Sequence, residues 1–337
     1  MSSAVQVLLS SYNGEKFIRE QLDSILAQEG VNIRILVRDD GSADGTQEIL
    51  REYRQANRNI EVLYGENFGA VKSVFTLIAA ADKTVPYTAF ADQDDVWLPD
   101  KLARAVSLLE SGGEPDVPLA YCSAVQPTDA GLRPFRPAIR YRRIRAAFGN
   151  ALVENMCTGC TCVINGTLRE LLCQAVAGEE EPKSGAAAVD FPLYVPAQEN
   201  IIHAGHFQKR IRTQEIIMHD FWIYLVAGAF GRVIYDEESR ILYRQHGANT
   251  IGIASGVLEN YRRRVRDFKR NRGKLKRQAE EFERLYGEWL AEQDAEKARL
   301  LRGFALGKRS LIFDKRLYRQ RRSDNWIMRL LLLMGWL

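Results

Sequence analysis

The sequence predicts an α/β fold: a mostly parallel sheet with helices on both faces, followed by a basic helical C-terminal extension. Three observations predict it. Short apolar runs alternate with amphipathic stripes through the first 110 residues. Polar clusters sit where those runs end, and ligands bind outside the carboxyl ends of parallel strands. Charge is also uneven along the chain. Residues 256–337 hold 22 Lys and Arg against 11 Asp and Glu, a net of +11, so residues 1–255 carry −7 of the overall +4.

Val5 to Ser10 is a compact apolar run, as expected of a strand buried on both faces. Tyr12-Asn13-Gly14 turns the chain, and Phe17, Leu22, Ile25 and Leu26 form a helical stripe. Ile33 to Arg38 reads as the second strand, ended by Asp39-Asp40-Gly41-Ser42. Asp44-Gly45-Thr46 opens a helix through Ile49, Leu50 and Tyr53. Ile60 to Tyr64 is a third strand, and Val71, Val74, Phe75 and Ile78 mark the next helix. Tyr87 to Ala91 is a fourth strand, and a helix follows from Pro99-Asp100 through Leu109. Leu119 to Ala124 and Cys160 to Asn165 read as further strands, with a Pro- and Arg-rich loop at Val125 to Arg145. Residues 179–214 lack clear periodicity and read as an insertion or flap. A helix over Asp220 to Phe230 and short strands at Arg232 to Tyr235 and Arg240 to Tyr243 complete a domain over residues 1–255. That domain divides into two halves, 1–110 and 111–255. Residues 256–337 form the extension, helical and highly charged from Val257 to Leu301.

The bulk properties exclude several classes. Five cysteines and no secretory leader argue for a reducing compartment without a disulfide framework. Cys157-x-x-Cys160 has no second such pair, and His203 and His206 are poorly spaced for a zinc finger. No stretch reaches the ~20 apolar residues of a membrane span. There are no internal repeats and no recognisable nucleic-acid module.

Asp92, Asp94 and Asp95 crowd three carboxylates into four positions. Such groups repel one another, and burying them unpaired is costly. They are either a solvated acidic turn or a site for a hard cation, Mg²⁺ or Mn²⁺, which would also hold a substrate diphosphate. Asp39 and Asp40 end a strand where a carboxylate can accept hydrogen bonds from a base or ribose; Ser42 and Asp44 also suit a helix cap. Tyr12 is either a stacking platform for a base or a core residue. His219-Asp220 heads a helix, where Asp220 is either a cap or a general base. Arg244 and His246 stand at a strand end; both can bind diphosphate, and His246 can ligate a metal.

Six stretches together resemble the family 2 inverting glycosyltransferases of GT-A fold, a Rossmann-like architecture, and within them the rhamnosyltransferase-like enzymes of bacterial polysaccharide assembly. They are LSSYNGEKFIREQLDSILAQ, DDGSADGT, FADQDDVWLPDKL, TGCTCVIN, MHDFWIYLVAGAFG and YRQHGANT. The resemblance implies that residues 1–110 are the nucleotide-binding half and residues 111–255 the acceptor and catalytic-base half, and that Ser10, Tyr12, Asp39, Asp40 and Asp92 bind the nucleotide. It implies that Asp94 and His246 hold Mg²⁺ or Mn²⁺, and that Asp220 is the catalytic base. Asp95, Thr158, Gly159, Cys160, His219 and Arg244 would line the diphosphate, donor or acceptor side. The implied donor is a dTDP- or UDP-linked sugar, with rhamnose favoured, and the acceptor a glycan or a lipid-linked sugar. The basic tail, ending in a Trp-flanked apolar segment, suits an anionic membrane at the cytoplasmic face; its alternative is a homodimer surface. A non-catalytic nucleotide-sugar-binding scaffold is the competing reading of the whole chain. A nucleotidyltransferase would need a Gly-rich phosphate loop, of which SSYNGEK is a poor version.

Overall fold

A computed structural model describes residues 2–141, 144–177, 209–246 and 273–335. Much of the expected insertion (179–208), His203 and His206, the basic stretch 257–272, Gly247 to Thr250 and the last two residues lie outside the described residues.

The first half follows the predicted alternation: β1 (Ser3–Ser11), α1 (Ile18–Leu26), β2 (Val31–Asp39), α2 (Thr46–Ala56), β3 (Ile60–Tyr64), α3 (Ala70–Ala80) and β4 (Tyr87–Ala91). Next come β5 (Val96–Trp97), α4 (Lys101–Gly112), β6 (Leu119–Ser123), β7 (Gln126–Thr128) and α5 (Phe148–Ala151). A 3₁₀ turn (Gly159–Thr161) precedes β8 (Val163–Asn165) and α6 (Gly166–Ala177). The chain continues with α7 (His219–Phe230), β9 (Arg232–Asp236), β10 (Ile241–Arg244), α8 (Lys274–Gln293), α9 (Ala295–Ala305) and α10 (Arg322–Leu333).

Seven strands form one sheet in the order β3-β2-β1-β4-β8-β6-β9. Its pairings are parallel except those of β8, which runs antiparallel to both β4 and β6. The alternation of side chains along β1 separates two cores. Leu8 joins Phe75, Phe90 and Trp222 in one cluster, and Val5, Val7 and Leu9 join Ile18, Leu50 and Leu102 in the other. Helices therefore cover both faces, as expected of a parallel sheet.

Three features were not legible as written. The 160–165 segment is a 3₁₀ turn followed by a shorter strand. The expected loop at 125–145 contains β7, which joins β5 and β10 in a separate three-stranded sheet. The helical extension is packed into the domain rather than appended to it. Phe282 of α8 meets Trp222 of α7 at a centroid distance of 5.5 Å, and Trp289 stacks on Phe230 at 4.0 Å.

Candidate active site

Strand register gathers the polar clusters. Ser11 pairs with Asp39, and Leu9 with Ala91, so Tyr12, Asp40 and Asp92 follow the ends of three adjacent strands. Because β8 is antiparallel, Thr158, Gly159 and Cys160, which precede it, reach the same rim. The helix α7 brings its first residues there as well: the Gly159 N–H donates to Asp220 Oδ2 at 3.0 Å.

The acidic cluster is braced from below. β10 pairs antiparallel with β5, the two-residue strand that follows the cluster. That pairing carries Arg244 and His246 back across about 150 residues of chain. His246 Nε2 lies 2.7 Å from Asp94 Oδ2, and its ring packs on Phe17 at 4.7 Å. Asp95 is buried; its Oδ1 accepts the Arg244 N–H at 3.0 Å, and the Cys160 thiol donates to its carboxyl. Burial, then the charges of Asp92 and Asp94, push Asp95 well above the ordinary carboxylate range. Burial, then the Asp94 and Asp220 carboxylates, raise Asp92 to about 7. One carboxyl oxygen each of Asp92 and Asp95 and the Cys160 sulfur lie within 4.8 Å of one another. Burial and the same carboxylates push the Cys160 thiol well up. A protonated thiol is a poor ligand for a hard cation, so the oxygens and the imidazole are the usable donors.

Asp220 is held in place by hydrogen bonds. Besides the Gly159 contact, its Oδ1 accepts the Phe221 N–H at 2.7 Å, and the Asn155 side chain donates to it. Burial raises its pKa above the ordinary carboxylate value, against the lowering effect of His219 and these hydrogen bonds. The neighbouring His219 is itself buried, and desolvation lowers its pKa, which favours the neutral imidazole. Glycine is required at 159: a Cβ there would stand 2.7 Å from His219 Nε2.

Several expected contact residues are engaged with other parts of the protein. Ser10 donates to Ser73 Oγ at 2.7 Å, under α3. Asp40 is buried, paired with Arg38, and accepts the Phe68 and Gly69 N–H groups, each at 2.8 Å; it ties the loop ahead of α3 to the sheet. Asp39 is fully buried and accepts from Ser42 and from Gln47 Nε2 at 2.8 Å, so a base contact would require that turn to open. Arg244 is buried rather than free for a diphosphate. Its guanidinium reaches the Asp94 carbonyl at 2.8 Å, the Ala130 carbonyl at 2.6 Å and Glu20, and lies over the Phe17 ring. Cys160 is buried beneath the rim, whereas Thr158 is partly exposed. Tyr12 is 45% exposed, which excludes the core reading and leaves its ring free to stack.

Two residues were missed. Gln93, the middle of the Asp-x-Asp, accepts from Ser11 Oγ at 3.1 Å and from the Tyr12 N–H at 2.8 Å, and donates to the Tyr12 carbonyl at 2.9 Å. It thus fixes the Tyr12 backbone to the acidic loop. Gly14 permits this, since a Cβ there would stand 2.3 Å from Gln93 Oε1. Asn155 was missed because nothing local marks it; only the fold brings it to Asp220.

This sheet order, with an acidic loop after β4 and a carboxylate heading α7 on one rim, defines a nucleotide-sugar transferase architecture of GT-A type. Residues 6–171, just under half of the chain, match Glycosyl transferase family 2, so the chain carries that family's domain and is a glycosyltransferase. It is 28% identical over 264 residues to the dTDP-rhamnosyl transferase RfbG of Shigella flexneri, covering 76% of this chain and 77% of that one. It is 34% identical over 106 residues to the putative teichuronic acid biosynthesis glycosyltransferase TuaG of Bacillus subtilis, covering 31% of this chain and 41% of that one. Among solved structures, S. aureus TarS 1-349 in complex with UDP-GlcNAc superposes with a TM-score of 0.54 at 16% identity, over 97% of this chain and 79% of that one. At that identity the likeness concerns the fold.

Proposed function

We propose that this enzyme moves rhamnose from dTDP-rhamnose to a glycan or lipid-linked acceptor in bacterial surface-polysaccharide synthesis, with inversion at the anomeric carbon. The rhamnose donor is supported by the similarity to RfbG over three quarters of both chains. The observation that carries the reaction type is the Asp220 carboxylate, held at the rim by the Gly159 N–H and near enough to Asp92 for their charges to interact.

Asp94 and His246, with Asp92 alongside, form a donor set suited to Mg²⁺ or Mn²⁺. A cation bound there supplies positive charge to the departing diphosphate. The Tyr12 ring stacks on the nucleotide base, its backbone fixed by Gln93. Asp220 takes the proton from the acceptor hydroxyl as that oxygen attacks the anomeric carbon from the face opposite the nucleotide. Thr158 faces the sugar or acceptor. We place the enzyme at the cytoplasmic face of the membrane, where nucleotide sugars meet lipid-linked acceptors; the basic character of residues 256–337 supports this.

The test is a panel of dTDP-rhamnose, UDP-glucose, UDP-galactose, UDP-N-acetylglucosamine and GDP-mannose, measured for Mn²⁺-dependent binding and slow hydrolysis. dTDP-rhamnose should win. Asp220→Asn should keep donor binding and lose transfer, because it keeps the shape but not the basicity of the side chain. Full transfer by that variant would remove Asp220 from the role.

A further inference from the structure

The helix α10 is apolar on two opposite sides. Met328 and Leu332 are buried against the domain. On the other side, Trp326, Ile327, Leu330, Leu333 and Met334 form one stripe, by the roughly 100° turn per helical residue. They are exposed to 78, 53, 55, 53 and 38%. Phe313, in the turn that leads toward this helix, is 86% exposed. Scattered apolar residues at a surface need no explanation, but a continuous stripe of large ones does.

The surroundings of the stripe say what covers it. Residues 306–335 contain eight Lys and Arg against two Asp. Six of those cations, Lys308, Arg309, Lys315, Arg316, Arg321 and Arg322, are exposed. A second copy of the same surface would bring like charge against like charge across an isologous interface. An anionic lipid surface instead attracts the cations and takes the apolar side chains into its headgroup and acyl boundary. The helix has 12 residues, or about 18 Å at ~1.5 Å per residue, too short for a hydrocarbon core of about 30 Å, and no described helix is long and apolar enough to cross a membrane. It therefore lies along the interface.

We infer that the outward face of α10, with Phe313 and the exposed cations, is a docking surface for anionic lipid bilayers. This rests on the proposed membrane location and names the residues that produce it. The full chain is mixed with vesicles of phosphatidylcholine alone or with phosphatidylglycerol added, and bound protein is measured by co-sedimentation. Binding should need the anionic lipid and weaken with salt. Trp326→Ser with Leu330→Ser should cut partitioning at least tenfold while leaving thermal unfolding and turnover of a soluble acceptor analogue unchanged. Arg321→Glu with Arg322→Glu should cut it too. Equal binding by wild type and the serine variant overturns the inference. So does an unaltered vesicle affinity accompanied by loss of a dimer in light scattering. Lost vesicle binding with transfer intact separates this surface from the enzymatic reading, which the donor panel tests on its own.

Discussion

Asn150→Ala should destabilise the protein by about 3 kcal/mol, far more than its small side chain suggests. Asn150 is fully buried in α5. Its Oδ1 accepts the Tyr224 hydroxyl at 2.6 Å, and its Nδ2 donates to Glu154 Oε2 at 2.9 Å and to the Tyr318 carbonyl at 2.8 Å. Alanine strands a buried hydroxyl and a half-buried carbonyl, each costing about 1–3 kcal/mol when left unsatisfied. Glu154 keeps the Gln320 N–H at 2.7 Å, so its loss is smaller. Water entering the vacated space recovers part of the roughly 2–6 kcal/mol that the two groups sum to, which leaves about 3 kcal/mol. Because Tyr224 stands one turn after Asp220 in α7, the rate of transfer should fall while donor affinity holds. Urea unfolding of wild type, Asn150→Ala, Tyr224→Phe and the double variant reads the energy directly. The two substitutions should be non-additive by about 1 kcal/mol or more, since the residues share one hydrogen bond. A loss below about 1 kcal/mol for Asn150→Ala, or strict additivity, would refute the view that this network ties the C-terminal segment to the helix of the base.

Two further outcomes follow from the site itself. In its proposed role Asp220 acts only when ionised, so its raised pKa should place the acid limb of kcat/KM above the ordinary carboxylate range, with rate lost as pH falls through it. The Asn155 hydrogen bond lowers that pKa, so Asn155→Ala should move the limb to higher pH; a limb that stays put would mean that another group is being titrated. Gln93→Ala should raise KM for the donor about tenfold, the equivalent of ~1.4 kcal/mol, with a smaller effect on kcat, because it frees the Tyr12 backbone rather than removing a reacting group. An unchanged KM would show that the Tyr12 loop holds its shape without the clamp.

The elements legible in the sequence are those whose signal is local. The strands β1 to β4 announce themselves as apolar runs ending in Asp or Tyr clusters, and the parallel rule then places those ends on one rim. By contrast β5 and β7, of two and three residues, are too short to show any period. The antiparallel sense of β8 has no local signature either, yet it decides that Gly159 meets Asp220. Asn155, Glu154 and Asn150 read as ordinary polar residues, because apart from the bond between Asn150 and Glu154 these partners, Asp220, Tyr224, Tyr318 and Gln320, are far away in the sequence.

Arg244 shows where residue type alone misleads. A cation beside an acidic motif and a histidine reads naturally as a phosphate ligand, and a guanidinium does bind phosphate well. Burial reverses that reading. A guanidinium taken out of water must have its donors satisfied by the protein, or the charge is too costly to keep. Here the Asp94 and Ala130 carbonyls and Glu20 meet those donors, and the Arg244 N–H holds Asp95. The cluster therefore has a fixed positive charge behind it before any substrate arrives. That charge offsets part of the repulsion among Asp92, Asp94 and Asp95, and it fixes the loop geometry that a cation in front would need. Arg244→Lys should then fail as a conservative change: an ammonium cannot span two carbonyls and a carboxylate from one planar fork.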